Sequence, residues 1–318
     1  MHLSIPSVDL NDFKNPETKA LFVAQLGKAF NETGFVAVKN HGLSDETSKK
    51  LYDAFVNFFK LEESVKSKYD IPNGAGQRGY TPKRKETAKG FKSADLKEFW
   101  HIGQENKPKE EHLAVDYPDN IWPTEIPELK TIGLEVFKTL EAAGIDLLRA
   151  IAIYLGLPEN YFDAKVATGN SILRCIHYYP IENPDAVEPD AVRAAAHEDI
   201  NLITLLMGAS ADGLQILKKD GTWLPVTALP EQIVVNVGDM LARLTNDRLK
   251  STTHRVVNPP KELMHLPRYS MPFFMHPRSD MDLTCLESCI TKDNPKHYNN
   301  MTAGEYLDER LKELGLKK

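Results

Sequence analysis

The sequence predicts a mainly β protein with flanking helices, an α+β chain whose strands form a sandwich or jelly-roll core. Three observations predict it. Segments with helical apolar spacing come first, short β-rich runs bounded by turn residues fill residues 172–275, and a capped helical pattern closes the chain.

In residues 16–31, Ala20, Val23, Ala24, Gly27 and Phe30 recur at helical spacing. A short strand over 34–38 follows and is closed by Asn40-His41-Gly42, where His41 reads as a structural turn residue. Ser44 before Asp45 predicts the N-cap of a second helix, with Leu51, Phe55, Phe58 and Phe59 on one side. Residues 71–127 are rich in Pro, Gly and charge and read as irregular. A third helix is expected over 128–156, through Leu129, Ile132, Val136, Leu140, Leu148 and Ile151. The expected strands are 172–179, 202–207, 213–217, 232–237, 254–257 and 269–275. Gly221, Asn246-Asp247 and Pro259-Pro260 punctuate them. Thr302 and Glu305 form a capping box for a closing helix over 302–316. The expected organisation is one domain over 1–318. It has a mostly helical supporting region at 1–165, a β core with the chemistry at 166–280 and a helical tail at 281–318.

Composition narrows the function. Of 318 residues, 42% are hydrophobic and 26% charged, the balance of an ordinary globular protein. A net charge of −6 argues against general nucleic-acid binding, which needs a basic footprint. The three cysteines, Cys175, Cys285 and Cys289, make no disulfide framework and fit a reducing compartment. The first ten residues lack the pattern of a signal peptide, and no apolar run approaches the roughly 20 residues of a membrane span. The expectation is a cytoplasmic, soluble protein with no membrane partner, a monomer or weak homo-oligomer.

Chemistry concentrates in the β half. In His197-Glu198-Asp199, an i, i+2 pair on a strand aims an imidazole and a carboxylate to one side. His254 lies downstream in Thr252-Thr253-His254-Arg255, and Arg268-Tyr269-Ser270 follows. Two histidines and one carboxylate leave coordination positions open on a metal, the facial set of non-haem Fe(II) oxygenases, with zinc as the competing ion. Arg268 discriminates, because a guanidinium grips a carboxylate in a bidentate fork and a hydroxyl at Ser270 adds a third hydrogen bond. An iron centre beside a carboxylate clamp is what 2-oxoglutarate requires.

The chain resembles the isopenicillin N synthase-like, or plant-type, branch of the Fe(II)/2-oxoglutarate-dependent dioxygenases nearly end to end. The match runs through Gly34-Phe35 to Asn40-His41-Gly42, Phe58-Phe59-Lys60-Leu61, Gly213-Leu214-Gln215, Asn236-Val237-Gly238-Asp239 and Lys250-Ser251-Thr252-Thr253-His254-Arg255. The resemblance implies a double-stranded β-helix (jelly-roll, cupin-like) core. It implies that His197, Asp199 and His254 hold Fe(II) and that Arg268 and Ser270 bind the distal carboxylate of 2-oxoglutarate. The family's Asn-Tyr-Tyr-Pro motif is read here as His177-Tyr178-Tyr179-Pro180, so that Tyr179 adds a hydrogen bond to that carboxylate. The implied reaction consumes O2, releases succinate and CO2, and hydroxylates, desaturates or cyclises a small molecule. A 2-oxoglutarate-independent oxidase of the same family, or a metal- and ligand-binding protein without turnover, remains open on the sequence.

Alternation along the strands extends the reading to substrate. If Arg268 and Ser270 point inward, so do Phe274 and His276, and an inward Tyr179 brings His177 and Cys175 with it. Relatives line the pocket with a third segment, which here supplies Phe99 and His101. The expected wall is Phe99, His101, Cys175, His177, Phe274 and His276, suited to a polar or anionic small molecule. Residues 78–92 hold six basic residues against one acid. They read either as a solvated loop or as a positive mouth that steers an anion.

Overall fold

The computed structural model describes residues 5–72, 74, 76–86, 93–188, 191–208, 212–226 and 231–313. Its strands are β1 (Ser7–Asp9), β2 (Phe35–Lys39), β3 (Gly79–Thr81), β4 (Glu98–Gly103), β5 (Ile172–Tyr178) and β6 (Ala194–His197). They continue with β7 (Ile203–Met207), β8 (Leu214–Leu217), β9 (Trp223–Pro225), β10 (Gln232–Val237), β11 (His254–Val256) and β12 (Arg268–Met275). An eight-stranded sheet runs β1-β2-β10-β7-β12-β5-β4-β3, and a four-stranded sheet runs β6-β11-β8-β9. Together they form a double-stranded β-helix.

Both faces of the large sheet are buried, so its strands alternate between two apolar environments rather than between core and water. On one face Val36, Val235, Leu173, Cys175, Leu205 and Phe273 join the helices in the main core. On the other, Phe35, Ala37 and Val234 meet Leu214 and Ile216 of the small sheet. Ile176 and Tyr178 meet Phe99, Ala194 and Val256 there. This second face is the barrel interior.

The helices obey local rules. Ser44 caps Asp45–Phe59, its hydroxyl accepting from the Thr47 amide at 3.1 Å. Lys19–Glu32 turns into β2 through Gly34 at φ +72°, where a Cβ would lie 2.3 Å from the Lys250 carbonyl oxygen. The long helix Glu128–Tyr154 presses close to β12 because a Cβ on Gly144 would lie 2.4 Å from Met275 Sδ. Thr302 and Glu305 form the expected capping box of Ala303–Glu313.

Two expectations need correction. The stretch 71–127 is not wholly irregular, since it contributes β3 and β4 to the large sheet. The mostly helical region 1–165 also holds β1, β3 and β4 beside the strand expected over 34–38. The described tail is helical only from Ala303, apart from the short turn Glu287–Cys289. The polar composition of β4 concealed it: Glu98 is fully buried, but Lys66, Tyr80 and His177 all hydrogen-bond to it.

Candidate active site

His197 ends β6 and stands opposite His254 on the antiparallel neighbour β11. The rings are 4.5 Å apart at their centres. His197 Nδ1 lies 2.7 Å from the Ala195 carbonyl, and His254 Nδ1 lies 3.2 Å from the Thr252 carbonyl. A carbonyl only accepts, so each Nδ1 carries a proton and Nε2 is the ring nitrogen turned towards the other donors. Asp199 lies just beyond β6, so the convergence is not the strand alternation expected from i, i+2 spacing. Its Oδ2 is fixed instead by Thr204 Oγ1 at 2.6 Å and Asn236 Nδ2 at 2.8 Å. Oδ1 is then 4.0 Å from His197 Nε2 and 3.8 Å from His254 Nε2.

These three donors all lie within 4.8 Å of one another. Separations of 3.8 and 4.0 Å are too long for hydrogen bonds but shorter than twice the metal–ligand distance of about 2.1 Å. Burial would raise the Asp199 carboxyl, but His254 and His197, with the bonds from Asn236 and Thr204, hold it below the usual carboxylate range. Desolvation, then the neighbouring His254, lowers His197. Two imidazoles that offer Nε2 and an ionised carboxylate are the donor set an iron(II) ion needs, and the residues fit that ion.

Arg268 and Ser270 face the barrel interior from β12, and both are buried. Their partners across β5 are Tyr178 and Ile176. Directly opposed residues in an antiparallel pair share a face, which puts Tyr178 beside Arg268. The guanidinium carbon lies 5.0 Å from the Tyr178 ring centre. Tyr179 follows the last residue of β5 and packs with Leu96, Ile181 and Ala191. Lys83 Nζ lies 4.9 Å over its ring, and its hydroxyl bonds to Arg84. Tyr179 is therefore misplaced as the partner of Arg268, and Tyr178 takes that position.

The same shift of one residue corrects the substrate wall. Cys175 packs on the helix-facing side of β5. His177 stacks on Tyr269 at 4.7 Å and bonds to Glu98 at 2.8 Å, in the helix-side layer around Phe59. Neither points into the barrel. The inward residue is Arg174, which the sequence reading missed. His101, Phe274 and His276 do line a cavity of about 370 Å³ that opens from the metal donors. Phe99 lies inside the barrel beneath Arg174, whose guanidinium carbon is 4.3 Å from its ring centre. Leu307, Arg310 and Leu311 of the C-terminal helix complete the wall.

Arg174 Nε donates to His101 Nε2 at 2.6 Å, so the other ring nitrogen, Nδ1, donates to the Gly76 carbonyl at 2.6 Å. Burial first, then the Arg174 charge, lowers His101 well below the ordinary histidine range. Glu86 sits between Lys97 at 2.6 Å and Arg174 at 3.4 Å. Burial alone would raise its carboxyl, but these cations hold it far below the usual range.

The basic segment is largely committed to structure. Arg78 is buried against the Gln77 and Pro118 carbonyls and Asn170. Lys85 pairs with Asp70, while Lys83 and Arg84 engage Tyr179. Lys89 and Lys92 lie outside the described residues.

A jelly roll that gathers two imidazoles and a carboxylate at its mouth defines a non-haem iron oxygenase. Comparison with known proteins agrees. Residues 5–125 match the family model "non-haem dioxygenase in morphine synthesis N-terminal", and residues 169–277 match "2OG-Fe(II) oxygenase superfamily". The chain is 31% identical to a proline hydroxylase of Petromyces alliaceus, over 97% of this chain and 99% of that one. A 2OG-Fe(II) oxygenase family protein of Caulobacter crescentus is 42% identical with a TM-score of 0.87, over 97% and 98% of the two chains. A full-length Neurospora crassa protein, solved in complex with alpha-KG and thymine, is 31% identical with a TM-score of 0.85, over 97% and 96%. The chain belongs to the 2-oxoglutarate–Fe(II) oxygenase superfamily. It is an oxidoreductase that takes Fe(II) as cofactor and 2-oxoglutarate and O2 as co-substrates, and it acts on a small molecule. Among the described residues, no helix is long and apolar enough to cross a membrane.

Proposed function

We propose that His197, Asp199 and His254 hold the iron, and that Arg268 and Ser270, with Tyr178 beside them, receive the distal carboxylate of 2-oxoglutarate. The observation that carries this reading is the convergence of His197 Nε2, His254 Nε2 and Asp199 Oδ1 within 4.8 Å at the mouth of the barrel that Arg268 lines. Bound iron and 2-oxoglutarate supply the oxidising power, with the oxo acid leaving as succinate and CO2. The chain's own residues supply placement. Thr204 and Asn236 orient Asp199, and the Ala195 and Thr252 carbonyls fix the two imidazoles. Arg268 holds the co-substrate by charge and a fork of donors. The barrel walls keep the reacting carbon near the metal and bulk water away. The substrate is a compact polar molecule that occupies the cavity beside Phe274 and His276.

The test is calorimetry without oxygen. Native protein is expected to bind one Fe(II) and, once loaded, one 2-oxoglutarate. His254→Ala loses the metal, whereas Arg268→Ala keeps the metal but weakens 2-oxoglutarate roughly a hundredfold, as expected for losing hydrogen bonds to a charged group. Unchanged 2-oxoglutarate affinity in Arg268→Ala contradicts the assignment.

A further inference from the structure

The cavity wall presents a polar side chain with no partner among the described residues. His276 is 8% exposed; its Nδ1 is shut away from solvent, and its Nε2, which makes no hydrogen bond among the described residues, is the ring nitrogen left to the cavity. Its backbone is held by Ser171, whose hydroxyl accepts from the His276 amide at 3.2 Å. Burial lowers its basicity to about 4, which leaves a neutral imidazole with one donor and one acceptor. A ring nitrogen on a cavity wall with no protein partner is free to pair with a ligand or with water.

The lysine and the two arginines of the lining are already paired with carboxylates. Lys97 lies 2.6 Å from Glu86 and 2.7 Å from Asp95, Arg174 is 3.4 Å from Glu86, and Arg310 is 2.8 Å from Glu313. Glu198 and Asp239 add further acids to the lining. Among the described residues, an anion entering this cavity meets no lining Lys or Arg that lacks a carboxylate. A cation against Phe274 meets the Arg174 guanidinium, 5.2 Å from that ring centre. The acid excess disfavours an anion, and Arg174 disfavours a cation at the Phe274 face, whereas a neutral molecule with a flat face can stack there. Arg174 spends Nε on His101 and Nη1 on Glu86, and among the described residues Nη2 remains to donate to a carbonyl.

We infer that the substrate is a compact, uncharged, planar molecule with an amide-like edge, and that His276 is the specificity-determining residue that hydrogen-bonds it. This rests on the proposed iron and 2-oxoglutarate site. It narrows the polar or anionic substrate expected from the sequence to an uncharged one.

The test uses three probes of one shape and three charges: benzoate, benzamide and benzamidine. Their affinities are measured by ligand-observed NMR on protein loaded with Fe(II) and 2-oxoglutarate without oxygen. Benzamide is expected to bind about tenfold more tightly than either charged probe. His276→Phe is expected to weaken benzamide roughly tenfold, the loss of one hydrogen bond, while His276→Gln restores most of it. The 2-oxoglutarate affinity stays unchanged in both variants, which separates this site from the co-substrate site and shows that the variants fold. Tighter binding of benzoate or benzamidine, equal benzamide affinity in His276→Phe, or no binding of any probe overturns the inference. Failure of the native protein to bind 2-oxoglutarate overturns the underlying site instead.

Discussion

Arg268 on β12 and Tyr178 on β5 stand directly opposite each other on the inner face of the large sheet, with the guanidinium carbon 5.0 Å from the tyrosine ring centre. Tyr179, one residue further, lies outside the strand and faces Lys83 and Arg84. The two tyrosines therefore separate cleanly by mutation. Tyr178→Phe should raise the KM for 2-oxoglutarate roughly tenfold, the loss of a hydrogen bond to a carboxylate. Tyr179→Phe should leave it within about twofold. Steady-state succinate release across a 2-oxoglutarate series checks both, and the reverse ranking would restore Tyr179 to the site.

Asp199 depends on Thr204 and Asn236 for its orientation. Thr204→Val and Asn236→Ala should each weaken Fe(II) binding about tenfold to a hundredfold, the usual loss when a ligand's supporting hydrogen bond goes. Anaerobic Fe(II) titration reads this directly. Thr204→Val nearly preserves volume, so its melting temperature is the control for packing.

Cys175 lies on the helix-facing side of β5 in the main core. Cys175→Ala should leave the KM of substrate and of 2-oxoglutarate within about twofold while lowering stability by about 1 kcal/mol, a small core truncation. Urea unfolding beside the kinetics distinguishes this from a pocket residue, for which the KM would move and stability would not.

Glu98 gives a pH prediction. Burial opposes its charge, but bonds from His177, Lys66 and Tyr80 lower its carboxyl to about 2. The unfolded value is about 4.3, so the folded state binds the proton less well. Its stabilisation is therefore complete above about pH 4.3 and fades as pH falls towards 2. Glu98→Gln should cost about 3 kcal/mol near neutrality, because Lys66 loses a buried partner. The gap between native and variant should narrow as pH falls from about 4.3 towards 2. A gap that stays constant over that range in denaturant titrations would contradict it.

The convergence of His197, Asp199 and His254 and the inward position of Arg268 were legible in the sequence because each sits in a short linear pattern whose chemistry is local. The sense of β5 was not. Leu173, Cys175, Ile176 and Tyr178 are all buried, on opposite faces, so hydrophobicity carries no parity there. Counting back from Pro180 assumes that Tyr179 belongs to the strand, and it does not. Arg174 was the available signal, since the one charged residue of the strand shares its face with Ile176 and Tyr178. β4 escaped as a strand because Glu98 looks like a surface residue until Lys66 and His177 are brought to it from distant segments, although Phe99 and His101 of the same segment were expected to face inward. The C-terminal helix as a wall of the cavity is likewise a tertiary fact, and no local pattern encodes it.

The central claim is that one protein site holds iron and 2-oxoglutarate together through His254 and Arg268. The most direct measurement is the visible spectrum of metal-free protein given Fe(II) and 2-oxoglutarate without oxygen. The account predicts a charge-transfer band that requires both additions, disappears in His254→Ala and needs far more 2-oxoglutarate in Arg268→Ala. Bound iron with no band at saturating 2-oxoglutarate, or a band of equal 2-oxoglutarate dependence in Arg268→Ala, would contradict it.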